Sequence, residues 1–265
     1  MTTPILFLGA GRMGGALAEG WRRTGAFPTA SLMLRDPNPG PDALAAGRAG
    51  AQLNPPDAVL ASARTVVLAV KPPVWREAAA PYVPLLASDA VVVSIAAGVR
   101  LADIEGVFAG RPVARVMPTT GVAIAQGVAS IYAEDPAARA RAHALFDPVA
   151  TAVDLDDEAM MDAATAVSGS GPAYLYAFTE ALEAAALESG LAPAVAKALA
   201  RATVSGAAAL MKETGVDAAE LRRQVTSPAG TTEAALKVLL ADDGLDPLMK
   251  KAVAAAISRA RELAG

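Results

Sequence analysis

The 265-residue chain contains no cysteine and a single histidine, His143. Without thiols there is no disulfide framework, iron–sulfur cluster or thiolate zinc site. One imidazole is too few for a multi-histidine metal site and argues against a histidine-centred triad, so no metal centre is expected. Aromatic residues make up only 4% of the chain. The net charge of −4 offers no electrostatic footprint for nucleic acid. Long hydrophobic runs are missing as well. Mean hydropathy is high, at +0.37, yet no stretch of about 18 apolar residues is free of charges or breakers. The opening MTTPILFLGAGRMGG lacks a basic leader, and its apolar run, from Pro4 to Leu8, is five residues long. Neither a signal peptide nor a membrane partner is expected, and the default is a cytoplasmic, soluble enzyme.

What is present is alanine, about a quarter of the chain, within a composition that is 54% hydrophobic and 19% charged. That excludes a disordered chain and favours closely packed helices. Short apolar runs occur at 5–8, 32–34, 66–70, 91–95, 113–117 and 128–132, each bounded by breakers. Runs of this kind fit strands of a parallel sheet covered on both faces. The segments between them have helical composition, so the expected fold is α/β, a doubly wound Rossmann sheet. No convincing strand follows residue 156, and helices are expected near 173–189, 193–213, 217–226 and 247–263. The predicted domains are therefore 1–160, α/β, and 161–265, all-α.

Gly9-Ala10-Gly11-Arg12-Met13-Gly14 follows the first predicted strand and opens a helix. In that context a G-x-G-x-x-G binds a dinucleotide. Gly9 allows the tight turn, Gly11 lets the backbone approach a pyrophosphate, and Gly14 lets the helix pack on the strand. The helix N-terminus adds free N–H groups and a partial positive charge. Arg35 and Asp36 stand at the end of the second strand, where the adenosine ribose is read. A carboxylate there favours NAD and an arginine favours NADP, so the two neighbours argue in opposite directions. NADPH or NADH is the expected cofactor.

Three stretches resemble the pyrroline-5-carboxylate reductase family. They are Leu68-Ala69-Val70-Lys71-Pro72 with Asn54 upstream, Ser168-Gly169-Ser170-Gly171-Pro172-Ala173-Tyr174, and Val225-Thr226-Ser227-Pro228-Ala229-Gly230-Thr231-Thr232. Their order and spacing match along nearly the whole chain. The resemblance implies a Rossmann domain and an all-α dimerisation domain, hence a homodimer, open to further assembly of dimers. It places Leu8 to Met13, Asn54 and Ala69, Val70, Lys71 and Pro72 along the dinucleotide. It makes Ser227, Gly230, Thr231 and Thr232 the grip on a small substrate, 1-pyrroline-5-carboxylate, with Thr232 nearest the chemistry. The implied reaction is hydride transfer to the C=N carbon, giving proline, the last step of proline biosynthesis.

The residues themselves support that grip. A helix starting near Gly230 presents unpaired N–H groups to a carboxylate, and Ser227 and Thr232 add hydroxyls. Departures from the family are also visible. Thr119 stands where the family has asparagine, Ala229 where glycine is common, and Asp36 where many members carry Ser or Asn. Many members prefer NADPH, an expectation that Asp36 weakens. A 3-hydroxyacid dehydrogenase calls for a lysine acid at the start of the helical domain, but no lysine lies between Lys71 and Lys197. A non-catalytic dinucleotide sensor does not need a carboxylate grip. His143 is expected at a helix surface without an acid partner, and Trp21 and Trp75 in or beside the core. The apolar faces around 184–187 and 206–211 call for a partner copy.

Overall fold

The computed structural model describes residues 1–264. Strands and helices alternate through the first part: β1 (Ile5–Leu8), α1 (Arg12–Thr24), β2 (Leu32–Arg35), α2 (Pro41–Arg48), β3 (Gln52–Leu53), β4 (Thr65–Leu68), α3 (Trp75–Ala79), β5 (Val91–Ser94), α4 (Leu101–Phe108), β6 (Val113–Pro118), β7 (Gly127–Tyr132), α5 (Pro136–Phe146), β8 (Ala150–Asp154) and α6 (Met161–Ala164). The rest is helical: α7 (Gly171–Glu188), α8 (Pro193–Thr214), α9 (Ala218–Gln224), α10 (Thr231–Leu239) and α11 (Leu245–Ala264). Two compact units result, residues 1–169 with the chain from 257 onward, and residues 170–256. The sequence reading placed the division at 160/161.

The sheet runs β3-β2-β1-β4-β5-β6-β7-β8. Strand order reverses beside β1, where Leu6 stands between Met33 of β2 and Val66 of β4. Side chains alternate across a strand, and both faces are apolar. Ile5 and Phe7 join Trp21, Leu34 and Val67 in one buried cluster. Leu6 and Leu8 join Met33, Val66, Leu68 and Phe108 in the other. This two-sided burial is why the strands read as continuous hydrophobic runs. Trp21 closes the first cluster. Its indole donates to the Leu145 carbonyl at 2.7 Å, and Phe27 meets it edge-on with centroids 4.9 Å apart. Trp21 thus lies in the core, as expected, and Phe27, six residues on, supplies its aromatic partner.

Two features depart from the expected parallel sheet. β7 runs antiparallel to β6. Only residues 119–126 connect them, and a parallel return takes a dozen or more. β3 and β8 are strands that the periodicity did not reveal. β3 has two residues and β8 is a half-exposed edge, so neither carries a long apolar signal.

In the helical unit, α7 and α10 bury no residue fully, and α8 buries only Ala196 and Ala200. Tyr176 is 67% exposed and Val238 73%. Leu175, Phe178, Leu199 and Leu210 are exposed too. A 22-residue α8 is, among the described residues, the one helix long and apolar enough to cross a membrane, but Lys197, Arg201 and Lys212 lie along it. Exposed apolar faces of this extent on adjoining helices are uncommon on a monomer and mark an interaction surface.

His143 is not without partners. Its Nδ1 lies 3.0 Å from Asp147 Oδ1 and its Nε2 3.0 Å from Asp154 Oδ2, tying α5 to the edge strand β8. Arg139 pairs with the same Asp154. The hydrogen bond to Asp147, with that to Asp154, raises the imidazole pKa above its ordinary 6.5, while partial burial opposes the rise. A raised folded-state pKa gives stability that is complete below the ordinary value and lost as pH climbs through the raised one. The side chain is 31% exposed, so screening holds the contribution below about 1 kcal/mol. His143→Ala should therefore lower Tm by at most about 2–4 °C near pH ~5.5, with the gap closing by pH ~8.5. Thermal scans giving a gap independent of pH would remove the charged clamp.

Candidate functional site

The glycine turn is set by close packing at its first residue. Gly9 has φ +92°, and a Cβ there would lie 2.8 Å from the Ala69 carbonyl and the Val70 nitrogen. Only glycine tolerates that conformation and that approach. At Gly14 a Cβ would lie 2.9 Å from the Gly9 carbonyl oxygen, so α1 packs directly on the turn. Gly11 differs from both: nothing lies within 4 Å of its Cβ position. It caps α1 with no side-chain hydrogen bond and no acid in the first turn. The first helical bond runs from Gly15 N–H to the Gly11 carbonyl at 2.9 Å. The N–H groups of Arg12 and Met13 therefore precede the helical ladder, which suits a phosphate. Glycine-lined space beside an uncapped helix end fits a dinucleotide pyrophosphate.

A cleft of about 780 Å³ opens at this turn. It lies where strand order reverses, at the carboxyl ends of β1, β2 and β4, the place where open α/β sheets bind ligands. Leu8, Gly9, Gly11, Arg35, Asp36, Asn54, Ala69, Val70 and Lys71 all line it. Ala10, Arg12, Met13, Gly14 and Pro72 do not. Ala10 is buried, with its N–H donating to Asp36 Oδ2 at 2.6 Å. Gly14 is packed beneath the turn, and Arg12 and Met13 sit in the first turn of α1. Tyr82, Val74 and Glu77 complete the wall. They come from the segment after β4, and no motif marks them.

Asn54 takes a left-handed conformation, φ +47°, which asparagine tolerates. Its amide brackets Asp36, accepting from the Asp36 N–H at 3.0 Å and donating to the Asp36 carbonyl at 2.9 Å. Arg35 donates to the Pro55 carbonyl at 2.7 Å and to the Asp57 carboxylate. Its guanidinium lies 5.1 Å from the Tyr82 ring centroid.

Pro72 lines a second cavity of about 340 Å³, with Ser94, Ala96, Ala97, Arg115, Met117 and Thr165 among its walls. Arg115 is buried but paired: Nη1 donates to Glu158 at 2.5 Å, and the same oxygen accepts from Leu101 N–H at 2.6 Å. Thr119 takes no part in either cavity's lining. Its hydroxyl accepts from Val128 N–H at 3.0 Å and secures β7.

At the junction of the two units, Ser168 to Pro172 adopts a form that the motif did not signal. Residues Thr165–Gly169 make a π turn, and Ser170 caps α7 by position without a side-chain bond. The later corner brings Ser227, Gly230, Thr231 and Thr232 to the start of α10. Gly230 is the cap residue and no side chain caps the helix. The first helical bond is Ala234 N–H to the Gly230 carbonyl at 3.2 Å. The N–H groups of Thr231 and Thr232 thus precede the ladder, next to the hydroxyls of Ser227 and Thr232. Ala229 sits at φ +57°, and its N–H donates to Glu233 Oε2 at 2.5 Å. A hydrogen bond from Lys237 and then that N–H hold the Glu233 carboxyl below its ordinary pKa. Free helix-end N–H groups, flanking hydroxyls and the Glu233 carboxylate, tied to Ala229, meet at this corner.

A doubly wound unit with a switch-point cleft, followed by a helical unit, defines the class of two-domain dinucleotide-dependent oxidoreductases. Residues 4–98 match the family described as NADP oxidoreductase, coenzyme F420-dependent. Residues 158–263 match the family described as pyrroline-5-carboxylate reductase dimerisation. A Pseudomonas aeruginosa protein named pyrroline-5-carboxylate reductase is 40% identical, over 100% of this chain and 98% of its own. One from Pisum sativum, of the same name, is 34% identical over 97% and 94%. The crystal structure of a pyrroline-5-carboxylate reductase from Coxiella burnetii superposes with a TM-score of 0.89, at 32% identity, over 99% of both chains. This chain belongs to the pyrroline-5-carboxylate reductase family.

The two glycines make separable predictions. Gly11→Ala should leave Tm within about 2 °C, since its Cβ meets open space, yet weaken dinucleotide binding on the order of tenfold or more. Gly9→Ala should cost more than about 1–2 kcal/mol in folding itself. Calorimetric titration alongside thermal scans separates them, and unchanged affinity in Gly11→Ala would empty the turn of its ligand.

Proposed function

We propose that this chain reduces 1-pyrroline-5-carboxylate to L-proline, with NADH or NADPH as hydride donor, as a soluble cytoplasmic homodimer. Small-molecule substrate and cofactor are its ligands; nucleic acid and membrane are not. The observation that carries this reading is the uncapped start of α10 beside Ser227 and Thr232, in a chain whose full-length relatives bear that enzyme's name. No lysine between Lys71 and Lys197 is available for the acid role in a 3-hydroxyacid dehydrogenase.

When bound, the reduced nicotinamide supplies the hydride to the imine carbon. The glycine turn and the free N–H groups of α1 hold the pyrophosphate, and Leu8, Val70 and Lys71 shape the cleft around the dinucleotide. Ser227 and the N–H groups of Thr231 and Thr232 take the substrate carboxylate, with Gly230 permitting close approach. The Thr232 hydroxyl orients the ring nitrogen. A cyclic imine is protonated far more readily than a ketone, so the electrophile arrives activated and the site works by positioning in a dry environment. That demand suits a molecule whose buried cation, Arg115, is already committed to Glu158, and whose one histidine is clamped between Asp147 and Asp154.

Absorbance at ~340 nm should fall when pyrroline-5-carboxylate is mixed with enzyme and reduced dinucleotide. Thr232→Ala should lower kcat/KM by at least about tenfold, equivalent to about 1.4 kcal/mol, with dinucleotide affinity unchanged. Loss of dinucleotide binding in a folded Thr232→Ala variant would contradict this division of labour. Sedimentation equilibrium at micromolar concentration should give a dimer or a multiple of it, and a monomer would defeat the proposed assembly.

A further inference from the structure

We propose that the cleft discriminates at the 2′ position of the adenosine ribose and takes NADH in preference to NADPH, with Asp36 as the discriminating residue. This rests on the reading of the switch-point cleft as the dinucleotide site. The sequence alone sets Arg35 against Asp36; the structure shows which of the two is free to act.

Asp36 follows directly on β2, the position that meets the ribose hydroxyls in doubly wound sheets. Its carboxylate is held at both oxygens. Oδ2 accepts from Ala10 N–H in the glycine turn at 2.6 Å, and Oδ1 accepts from Asn38 N–H at 2.8 Å. Its backbone is held at both polar groups by the Asn54 amide, at 3.0 and 2.9 Å. Two hydrogen bonds fix the carboxylate and two fix its backbone on the wall of the cleft, so it does not swing aside for a bulkier ligand. Each oxygen keeps lone-pair capacity for a further donor. Ribose hydroxyls are donors. A 2′-phosphate is acceptor-only where it faces the carboxylate and carries charge of the same sign.

Arg35 does not relieve that repulsion. Its two terminal nitrogens donate to the Pro55 carbonyl and the Asp57 carboxylate, and its plane lies over Tyr82. Its Nε is sealed from solvent and makes no hydrogen bond, so it too is withheld from a ligand. The guanidinium is therefore held against Asp57, which balances its charge and leaves it less to offer a 2′-phosphate. Lys71, the cation of the opposite wall, follows β4, on the far side of β1 from Asp36. Neighbouring strands are about 4.8 Å apart, so two strand spacings separate the bases of these side chains.

The test is direct binding. NADH and NADPH are titrated into the full-length assembly by nicotinamide fluorescence, and ADP and 2′,5′-ADP by calorimetry. Wild type should bind NADH and ADP at least about tenfold tighter than their 2′-phosphorylated counterparts. The preference should narrow as salt rises from about 0.05 to 0.5 M, because screening weakens like-charge repulsion. Asp36→Ser should improve NADPH binding by about tenfold and weaken NADH binding severalfold. Asp36→Asn, which keeps the shape and removes the charge, should fall between the two. Equal or tighter NADPH binding by wild type overturns the proposal. So does an unchanged preference in a folded Asp36→Ser protein, and so does failure of both dinucleotides to bind. NADH preference with no turnover of the imine would support the discrimination while rejecting the proposed reaction.

Discussion

The contact on which the dinucleotide cleft depends is that of the Gly9 backbone against the Ala69–Val70 peptide. β1 and β4 are neighbours in the sheet, and the chain must leave β1 by a left-handed residue to clear β4 and enter α1. A side chain at Gly9 would drive those strands apart at their carboxyl ends. Because the turn stays tight, Gly14 rests on it, α1 begins beside the cleft with its first N–H groups ahead of the helical ladder, and Ala10 N–H reaches Asp36. One conformationally demanding glycine therefore links the sheet, the helix axis and the Asp36 carboxylate.

Three charged groups of the first unit have fixed partners. Arg35 serves Asp57, Arg115 serves Glu158, and Asp36 is held by backbone N–H groups. Groups with fixed partners lose little on ligand binding, since they need not reorganise. They also make poor proton shuttles. Both properties suit a reaction in which the substrate brings its own electrophile and the protein provides alignment. In the proposed site, hydroxyls and helix-end N–H groups at the α10 corner position the substrate, and no charged protein acid is required.

The helical unit has a different physical character. Its helices are long and alanine-rich, and they keep their larger apolar side chains exposed. Helices stable in water usually bury one face, and here much of that burial is left to another copy of the chain. Association then belongs to the stability of this unit rather than being an addition to it.

Much of this was legible in advance. The six apolar runs mark β1, β2, β4, β5, β6 and β7, because strands covered on both faces need no alternation to be seen. The glycine spacing is equally readable, since each glycine answers a local steric demand. Periodicity could not reveal β3 and β8, which are short or half-exposed, nor the reversal of β7, which is set by the length of its connection. The π turn at Thr165–Gly169 left no residue signature. His143 has one partner, Asp147, four residues on and readable as an i,i+4 pair, but the other, Asp154, lies eleven residues away on another element and was hidden. Composition and spacing thus determined the fold class, the phosphate-binding turn and the helix that starts at Gly230. Which charges remain free was decided by tertiary structure alone: Arg35 and Asp36 are equal candidates along the chain, until Asp57, Tyr82 and Asn54, brought in from other segments, neutralise one and hold the other in the cleft.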